Sequence, residues 1–195
     1  MSAGDPVDPL SSDAGSATGT FDDAFHLERF ADASYYASAL FRECFRSDFP
    51  VPHDVAGLPA AAPAGAWRQY VAFYRWDDAR IEAVGFCNWI RCGRYYLGGG
   101  MCVSPTFYRR MPREHFGVCR ERGGVAQLMV EAAFRELTDC DAWFGYCGDR
   151  KAYQADIRAG FSPTRHPLLV AKWRPGLSDA DRRAIEDEVA AIGPF

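Results

Sequence analysis

The sequence lacks the residue spacings that mark the commonest metal, redox and hydrolase sites. No two of its cysteines are separated by two residues, as a zinc knuckle or a redox pair requires. No two of its histidines lie four positions apart, which argues against a zincin helix, and no Gly-x-Ser-x-Gly elbow marks a serine hydrolase. We therefore expect most of the seven cysteines to be small, buried, reduced side chains.

The sequence also has little excess charge and no long apolar run. Its net charge of −4 and its pI near 5.6 leave no basic stripe for a nucleic acid to bind. No apolar run approaches the roughly 20 residues that span a bilayer, and no basic region followed by an apolar one opens the chain. We expect a soluble cytoplasmic protein with neither a nucleic-acid nor a membrane partner.

What is present is the composition of one globular domain, with 48% hydrophobic and 14% aromatic residues. The 195 residues are few for two domains of ordinary size. Residues 1–22 have little to bury and are expected to be a disordered lead-in to a single domain over 23–195. Its last element is predicted to be a surface or partner-facing helix over 178–192, which Ser178 caps.

The first half of the domain alternates between strand and helix patterns. Residues 25–30 predict a strand and residues 34–45 a helix, whereas the four prolines from Pro50 to Pro63 predict a loop or a short broken turn. From Trp67 three β-type segments follow, joined by turns short enough for antiparallel hairpins. The third contains Gly98, Gly99 and Gly100, which indicate either a bulge or close approach by a ligand or backbone, or else packing under an aromatic neighbour such as Trp89.

The second half is organised around a helix that begins with a glycine pair. Glu121 to Leu137 places apolar residues at helical spacing directly after Gly123 and Gly124. The start of such a helix presents unpaired amides that favour an anion, and glycines let a phosphate come close. The alternative is a plain helix start that binds nothing. A strand at 141–147, a helix at 150–159 and a strand at 167–173 follow, which predicts a mixed α/β sheet with helices on its faces.

Three soft motifs in this order resemble the acyl-CoA-dependent N-acetyltransferase (GNAT) superfamily over roughly residues 24–173. Val103-Ser104-Pro105 is similar to the family's Val-x-Pro strand end. Residues 121–126 match its pyrophosphate loop at Gly124 and Ala126, with Glu121 where the family usually has a cationic or amide residue. Residues 149–161 resemble its closing helix, which ends here at Gly160-Phe161.

The resemblance implies a central, mostly antiparallel sheet with a splayed strand pair, and transfer of an acyl group from acetyl-CoA or another acyl-CoA to a primary amine of a small molecule or peptide. It assigns backbone along the pantetheine arm to Met101, Cys102 and Val103. The remaining cofactor-binding positions that it implies are Arg122, Gly123, Gly124, Val125, Ala126 and Asp149.

The catalytic groups are less well defined than the cofactor loop. Asp156 stands where the family has its acid, usually a tyrosine, and an ionised carboxylate is a poor proton donor unless its pKa is raised. Tyr153, one turn earlier, is either an alternative acid or a core aromatic. Cys102 is either a nucleophile or a small packing residue. Candidate bases are Glu82, His26 and His115.

Two further features leave alternatives open. Residues 106–120 form an insertion that either brings Arg109, Arg110 or Arg113 toward the CoA phosphates or is a solvated basic loop. Ile185, Val189 and Ile192 either face a partner, such as a second copy in a homodimer, or pack on their own sheet. Because Asp156 and Glu121 depart from the family pattern, the rival function is a catalytically degenerate GNAT-fold protein that binds acyl-CoA or a partner without transfer.

Overall fold

A computed structural model of the protein describes residues 19–49 and 66–195. One mixed sheet carries its seven strands in the order β1-β2-β3-β4-β5-β7-β6. All neighbouring pairs are antiparallel except β4 and β5, which are parallel. The strands are β1 (Phe25–Phe30), β2 (Trp67–Arg75), β3 (Ile81–Cys92), β4 (Tyr95–Val103), β5 (Ala142–Tyr146), β6 (Ser162–Pro163) and β7 (Leu169–Trp173). The helices are α1 (Phe21–Ala24), α2 (Ser34–Phe45), α3 (Pro105–Arg110), α4 (Arg113–Glu121), α5 (Val125–Glu136), α6 (Arg150–Arg158) and α7 (Asp179–Ile192).

The mixed α/β sheet predicted from the sequence is confirmed, with differences near the N-terminus and in the segment 106–120. The predicted proline-rich loop falls mostly outside the described residues, as does the predicted disordered lead-in up to residue 18. The last residues of that lead-in are ordered, because Thr20 and Asp23 form a capping box and Phe21 is only 3% exposed. The sequence pattern missed α1 because its apolar surface amounts to little more than this one ring.

The segment 106–120, predicted as a basic connection, is instead helical. Ser104 caps α3 by accepting the Phe107 amide at 3.2 Å, and Pro105 occupies its first turn. Pro112 then begins α4. Phe107 and Cys119 are buried, so both short helices are held by packing on the sheet rather than solvated.

Helices cover both faces of the sheet. α1, α3, α4, α5 and α6 contribute to one apolar cluster, whereas α2 and α7 pack on the opposite face. On α7, Ile185 and Val189 are buried and Ile192 is partly buried against its own sheet. The partner-facing interpretation of these three residues is therefore wrong, because the stripe is already covered within the chain. No helix in the described ranges combines the length and apolar character needed to cross a bilayer.

The glycine triplet forms a bulge where β4 leaves one of its neighbours. Cys87 pairs with Met101 and Trp89 with Gly98, so Gly99 and Gly100 both lie opposite the single residue Asn88. The Trp89 ring also lies 3.5 Å from the position that a Gly98 Cβ would occupy, so the bulge and the aromatic packing are both present. On the other edge, β4 pairs with β5 only from Tyr95 to Leu97. Beyond Leu97 the two strands part.

Candidate functional site

The parted ends of β4 and β5 enclose a cavity of about 230 Å³. Its walls include Gly98, Met101, Gly145 and Asp156. A second cavity of about 550 Å³ shares Met101 and Asp149 with the first and extends along β4 past Cys102 and Val103 to Gly123 and Ala126. A third cavity of about 830 Å³ shares Gly123 with the second and surrounds the start of α5. The three form a chain of cavities that share wall residues, from the gap between the strands to the glycine pair.

The start of α5 has the backbone features that favour an anion. Gly123 (φ 86°) and Gly124 (φ 89°, ψ 169°) adopt backbone conformations that side chains strongly disfavour. The Val125 amide donates to the Tyr108 hydroxyl at 3.1 Å. The next two amides, those of Ala126 and Gln127, have no acceptor among the described residues. Ala126 lines the second cavity and Gln127 the third, so these two donors and the positive end of the helix dipole lie beside Gly123, which both cavities share.

Of the cations near this helix start, Arg122 is one of the predicted cofactor-binding residues, whereas Arg120 and Arg158 were not predicted. Arg120, Arg122 and Arg158 line the third cavity, alongside Glu121 and Glu131. The Arg122 guanidinium is bound by both carboxylate oxygens of Asp22 in α1.

The three arginines predicted for this role are not at the cavities. Arg109, Arg110 and Arg113 line none of the three, and Arg110 instead pairs with Glu82 and lies over the Trp76 ring. That the insertion brings these arginines to the CoA phosphates therefore stays a prediction that the cavity walls do not support.

Asp156 lies at the gap between the strands, where it is only 8% exposed. The thiol of Cys147 donates to its Oδ2 at 2.8 Å. Burial raises the pKa of the Asp156 carboxyl, and the hydrogen bond from Cys147 opposes that shift. A Cβ at Gly145 would stand 2.9 Å from Oδ2, so the glycine makes room for the carboxyl. In this environment the Asp156 carboxyl keeps its proton to a higher pH than an exposed aspartate does, as a proton donor must.

Tyr153 and Asp149 lie on the same helix with different surroundings. Tyr153 is 36% exposed and lines none of the three cavities, so the core-aromatic interpretation is wrong and its role as an acid stays a prediction. Asp149 is the N-cap of α6 and accepts the amides of Lys151 and Ala152 at 2.8 and 3.0 Å. It lines both the first and the second cavity, at the position where a cofactor arm is predicted.

Cys102 packs against the α2 side of the sheet and lines the second cavity. Burial raises the pKa of its thiol, as does the neighbouring thiol of Cys44. A thiol that keeps its proton is a poor nucleophile. Its burial in the cluster beneath α2, together with the raised pKa, therefore favours the packing role over the nucleophilic one.

The three predicted bases are not brought to the site. His115 is buried between the Tyr74 hydroxyl at 2.6 Å and the Gly19 carbonyl oxygen at 3.1 Å, where it has a structural role. Glu82 binds Arg80, Arg110 and the Trp76 indole. His26 stacks on Phe73. None of the three lines the cavities at the parted strands or at the start of α5.

Sequence reasoning missed four residues that the fold brings to the cavities. Arg120 and Arg158 had no distinguishing spacing, and Tyr108 lay in the segment predicted as a connection. Asn88 was concealed within an apolar strand, although a lone amide between aromatic and aliphatic residues was a signal that could have been used. It is 1% exposed, lines the first cavity and has no partner for its side chain in the described part of the chain. Within residues 19–49 and 66–195, no group of three or more potential ligands could hold a metal ion.

No protein-family model matches the chain, and no curated protein matches it. Solved structures do. The ribosomal-protein-S18-alanine N-acetyltransferase from Escherichia coli matches 80% of this chain and 97% of its own, with 8% identity and a TM-score of 0.51. A spermidine N-acetyltransferase chimera that includes Vibrio cholerae sequence matches with 13% identity, 77% and 95% coverage and a TM-score of 0.46. The ribosomal-protein-S5-alanine acetyltransferase from Vibrio fischeri gives 10% identity, 80% and 96% coverage and a TM-score of 0.44. The first of these likenesses, taken with the bulged β4 and the parted β4–β5 pair, shows that this chain has the fold of the GNAT superfamily.

Proposed function

We propose that the protein is an acyl-CoA-dependent N-acyltransferase that transfers an acyl group, most simply acetyl, to a primary amine. The observation that carries the proposal is the parted β4–β5 pair, whose cavity is connected through shared walls to the glycine start of α5. The alternative, a helix start that binds nothing, does not account for the cavities that lead from its free amides into the sheet.

The residues present suit a long ligand with a diphosphate at one end. The free amides of Ala126 and Gln127 would bind the diphosphate, and Arg120 and Arg158 would add positive charge. Beyond Leu97, the edge of β4 has no strand partner on the β5 side, so its backbone groups are available to the amides of a pantetheine arm. Bound acyl-CoA would supply a thioester, which is an acyl group already activated for transfer.

Asp156 would act as the acid in this mechanism. As the amine nitrogen bonds to the acyl carbon and the carbon–sulfur bond breaks, the carboxyl would give its proton to the departing sulfur. The attacking amine, neutral at this stage, would lose one proton to solvent, and the Asp156 carboxylate would regain one from solvent, so the products are the amide and the free thiol. Burial supports this role because it keeps Asp156 protonated to a higher pH than an exposed aspartate.

Calorimetry with acetyl-CoA, followed by thiol release on a panel of amines, tests the proposal. We expect binding, and transfer to at least one amine. Asp156→Asn should lower the rate by about 100-fold, whereas Tyr153→Phe should not. Absence of binding at millimolar acetyl-CoA would reject the proposal. Binding without thiol release on any amine would indicate a protein that binds acyl-CoA but does not transfer the acyl group. Unchanged rates in both variants would reject both acid assignments.

A further inference from the structure

Asn88 lies on the face of the sheet opposite α5. Along β3, Cys87 and Trp89 join the apolar cluster of α5, whereas Phe86 packs with α2 and Ile90 with α7. Side chains alternate between the faces of a strand, so Asn88 shares the face of Phe86 and Ile90. It lines the cavity at the parted strands from this side, while Asp156 lines it from the side of α5 and α6.

The Asn88 amide is buried without the partners that a buried amide needs. Neither Oδ1 nor Nδ2 has a hydrogen-bond partner in the described ranges, and the side chain is 1% exposed. Leaving such a group unpaired is unfavourable, so a buried side chain of this kind calls for an explanation. The bulge preserves its space, because a Cβ at Gly99 would stand 2.8 Å from Nδ2. The backbone of β4 is therefore shaped around the Asn88 amide, which is buried in the wall of the cavity.

The surroundings restrict what could pair with this amide. The walls on its side include the Tyr146 and Phe195 rings, which contact each other with centroids 6.0 Å apart. No lysine or arginine lines the first cavity in the described ranges, and its carboxylates are Asp149 and Asp156. Asp149 already caps α6, and burial favours the protonated form of Asp156. A free carboxylate would find no cation in the described part of this wall, and the ionised carboxylate of Asp149 is directed to the α6 cap, whereas an uncharged group that both donates and accepts could pair with the Asn88 amide.

We infer that Asn88 recognises the acceptor, and that the acceptor is an amine with a carbonyl on the carbon next to the reactive nitrogen, as in an α-amino amide or the first residue of a peptide. Oδ1 accepts an N–H of the amine and Nδ2 donates to the neighbouring carbonyl oxygen. An amide that pairs through both its atoms in one plane is a specific reader, as asparagine is for adenine. The inference rests on the proposed function, since it places the acceptor across the first cavity from Asp156, the proposed acid.

Titration of two matched amines tests this inference directly. Phenylalaninamide and phenethylamine share the ring and the amine, but only the first has the adjacent carbonyl. By calorimetry, with and without saturating CoA, the wild-type protein should bind phenylalaninamide roughly tenfold or more tightly than phenethylamine. Asn88→Leu, which is similar in size, should bring this ratio to about one and leave acetyl-CoA affinity unchanged. The wild-type kcat/KM for thiol release should show the same preference.

Stability supplies a readout that needs no ligand. Because Asn88→Leu removes two unpaired buried polar atoms, its Tm should rise by about 2–4 °C. Gln69→Leu is the matched control: Gln69 is also buried, but its Oε1 accepts the Ala33 amide at 2.5 Å. This variant should lose stability and keep the amine preference. Asn88→Ala gives a second test if the leucine does not fit.

Three outcomes would overturn the inference. They are an equal affinity of wild-type protein for the two amines, a preference that survives in Asn88→Leu, and a weakening of acetyl-CoA rather than amine binding in that variant, which would place Asn88 on the donor side. Failure of the proposed function has a different signature. In that case acetyl-CoA does not bind wild-type protein, while the amine titrations into free protein still report on Asn88.

Discussion

Both halves of β4 pair with β3 on one side, but only the first half pairs with β5 on the other. Tyr95, Tyr96 and Leu97 pair with both β3 and β5 and are almost completely buried. From Gly98 onward the strand keeps β3, loses β5 and becomes mostly half-buried. The change occurs at the bulge, which increases local twist and turns the strand away from its parallel neighbour. A single strand thus serves as core at one end and as cavity wall at the other.

The largest expected effect comes from placing one new side chain in each half. Met101 lines both the first and the second cavity, and a phenylalanine there should project into the space that a ligand would occupy. Because the ligand would be displaced, Met101→Phe should lower the rate of thiol release by about 100-fold. The Tm should change little. Leu97→Phe should instead cost about 1–3 kcal/mol of unfolding free energy, because Leu97 is fully buried among packed neighbours. Kinetics and chemical denaturation of both variants measure the contrast. Equal losses of stability would mean that the two halves are packed alike.

Asp156 tests whether the parted half is chemically distinct. Its folded-state pKa is raised, so its favourable contribution to stability is present at pH values below the ordinary aspartate pKa and is lost as pH rises through the folded-state value. Asp156→Asn resembles the protonated form and should therefore raise Tm relative to wild type at neutral pH but not in acid. Wild-type thiol release should fall as pH rises through the same pKa. A Tm difference independent of pH would contradict this assignment.

A smaller effect is expected at the glycine pair. Gly124→Ala forces a side chain into a conformation that is almost exclusive to glycine, at about 1–3 kcal/mol, and places Cβ 3.3 Å from the Tyr108 hydroxyl. Acetyl-CoA affinity should fall roughly tenfold as the free amides shift. Gly117→Ala is the control, because its Cβ would meet nothing within 4 Å in the middle of α4, and it should stabilise by about 0.5–1 kcal/mol. Calorimetry and denaturation separate the two.

The smallest effect should come from exposed arginines. Arg158→Ala removes a cation from the cavity around the α5 start and should weaken acetyl-CoA binding by about threefold to tenfold, more at low ionic strength. Arg110→Ala removes a cation of the same type whose partner is Glu82. Its acetyl-CoA affinity should stay within about twofold of wild type. Similar losses in both variants would show a general charge effect rather than a site at α5.

Local signals predicted the elements that local chemistry determines. Apolar residues alternate over 25–30, as in a strand, and recur at helical spacing over 34–45. Both elements have the bounds expected from the sequence. The glycine pair and the Ser178 cap were visible because turns and caps depend on a few neighbouring residues. The β4 bulge was visible as three consecutive glycines.

What could not be predicted depends on pairing between distant segments. Nothing near Asn88 in the sequence shows that β4 bulges opposite it and leaves its amide unpaired. Arg158 reaches the start of α5 only because α6 packs beside that helix, and Arg110 is drawn away by Glu82. The segment 106–120 did contain usable signals, since Ser104 and Pro105 form a helix start and Pro112 begins a second helix, but its charge made it resemble a loop.

The distribution of thiols offers a way to footprint the cavity along β4. Six of the seven cysteines are buried, whereas Cys44 is partly accessible and lines the wall of that cavity beside Cys102 and Val103. An alkylating reagent should therefore label Cys44 first, although burial raises the pKa of its thiol and slows the reaction. A molecule threaded past Val103 would shield that sulfur. Slower labelling by iodoacetamide, read by mass spectrometry, would then report occupancy without any turnover.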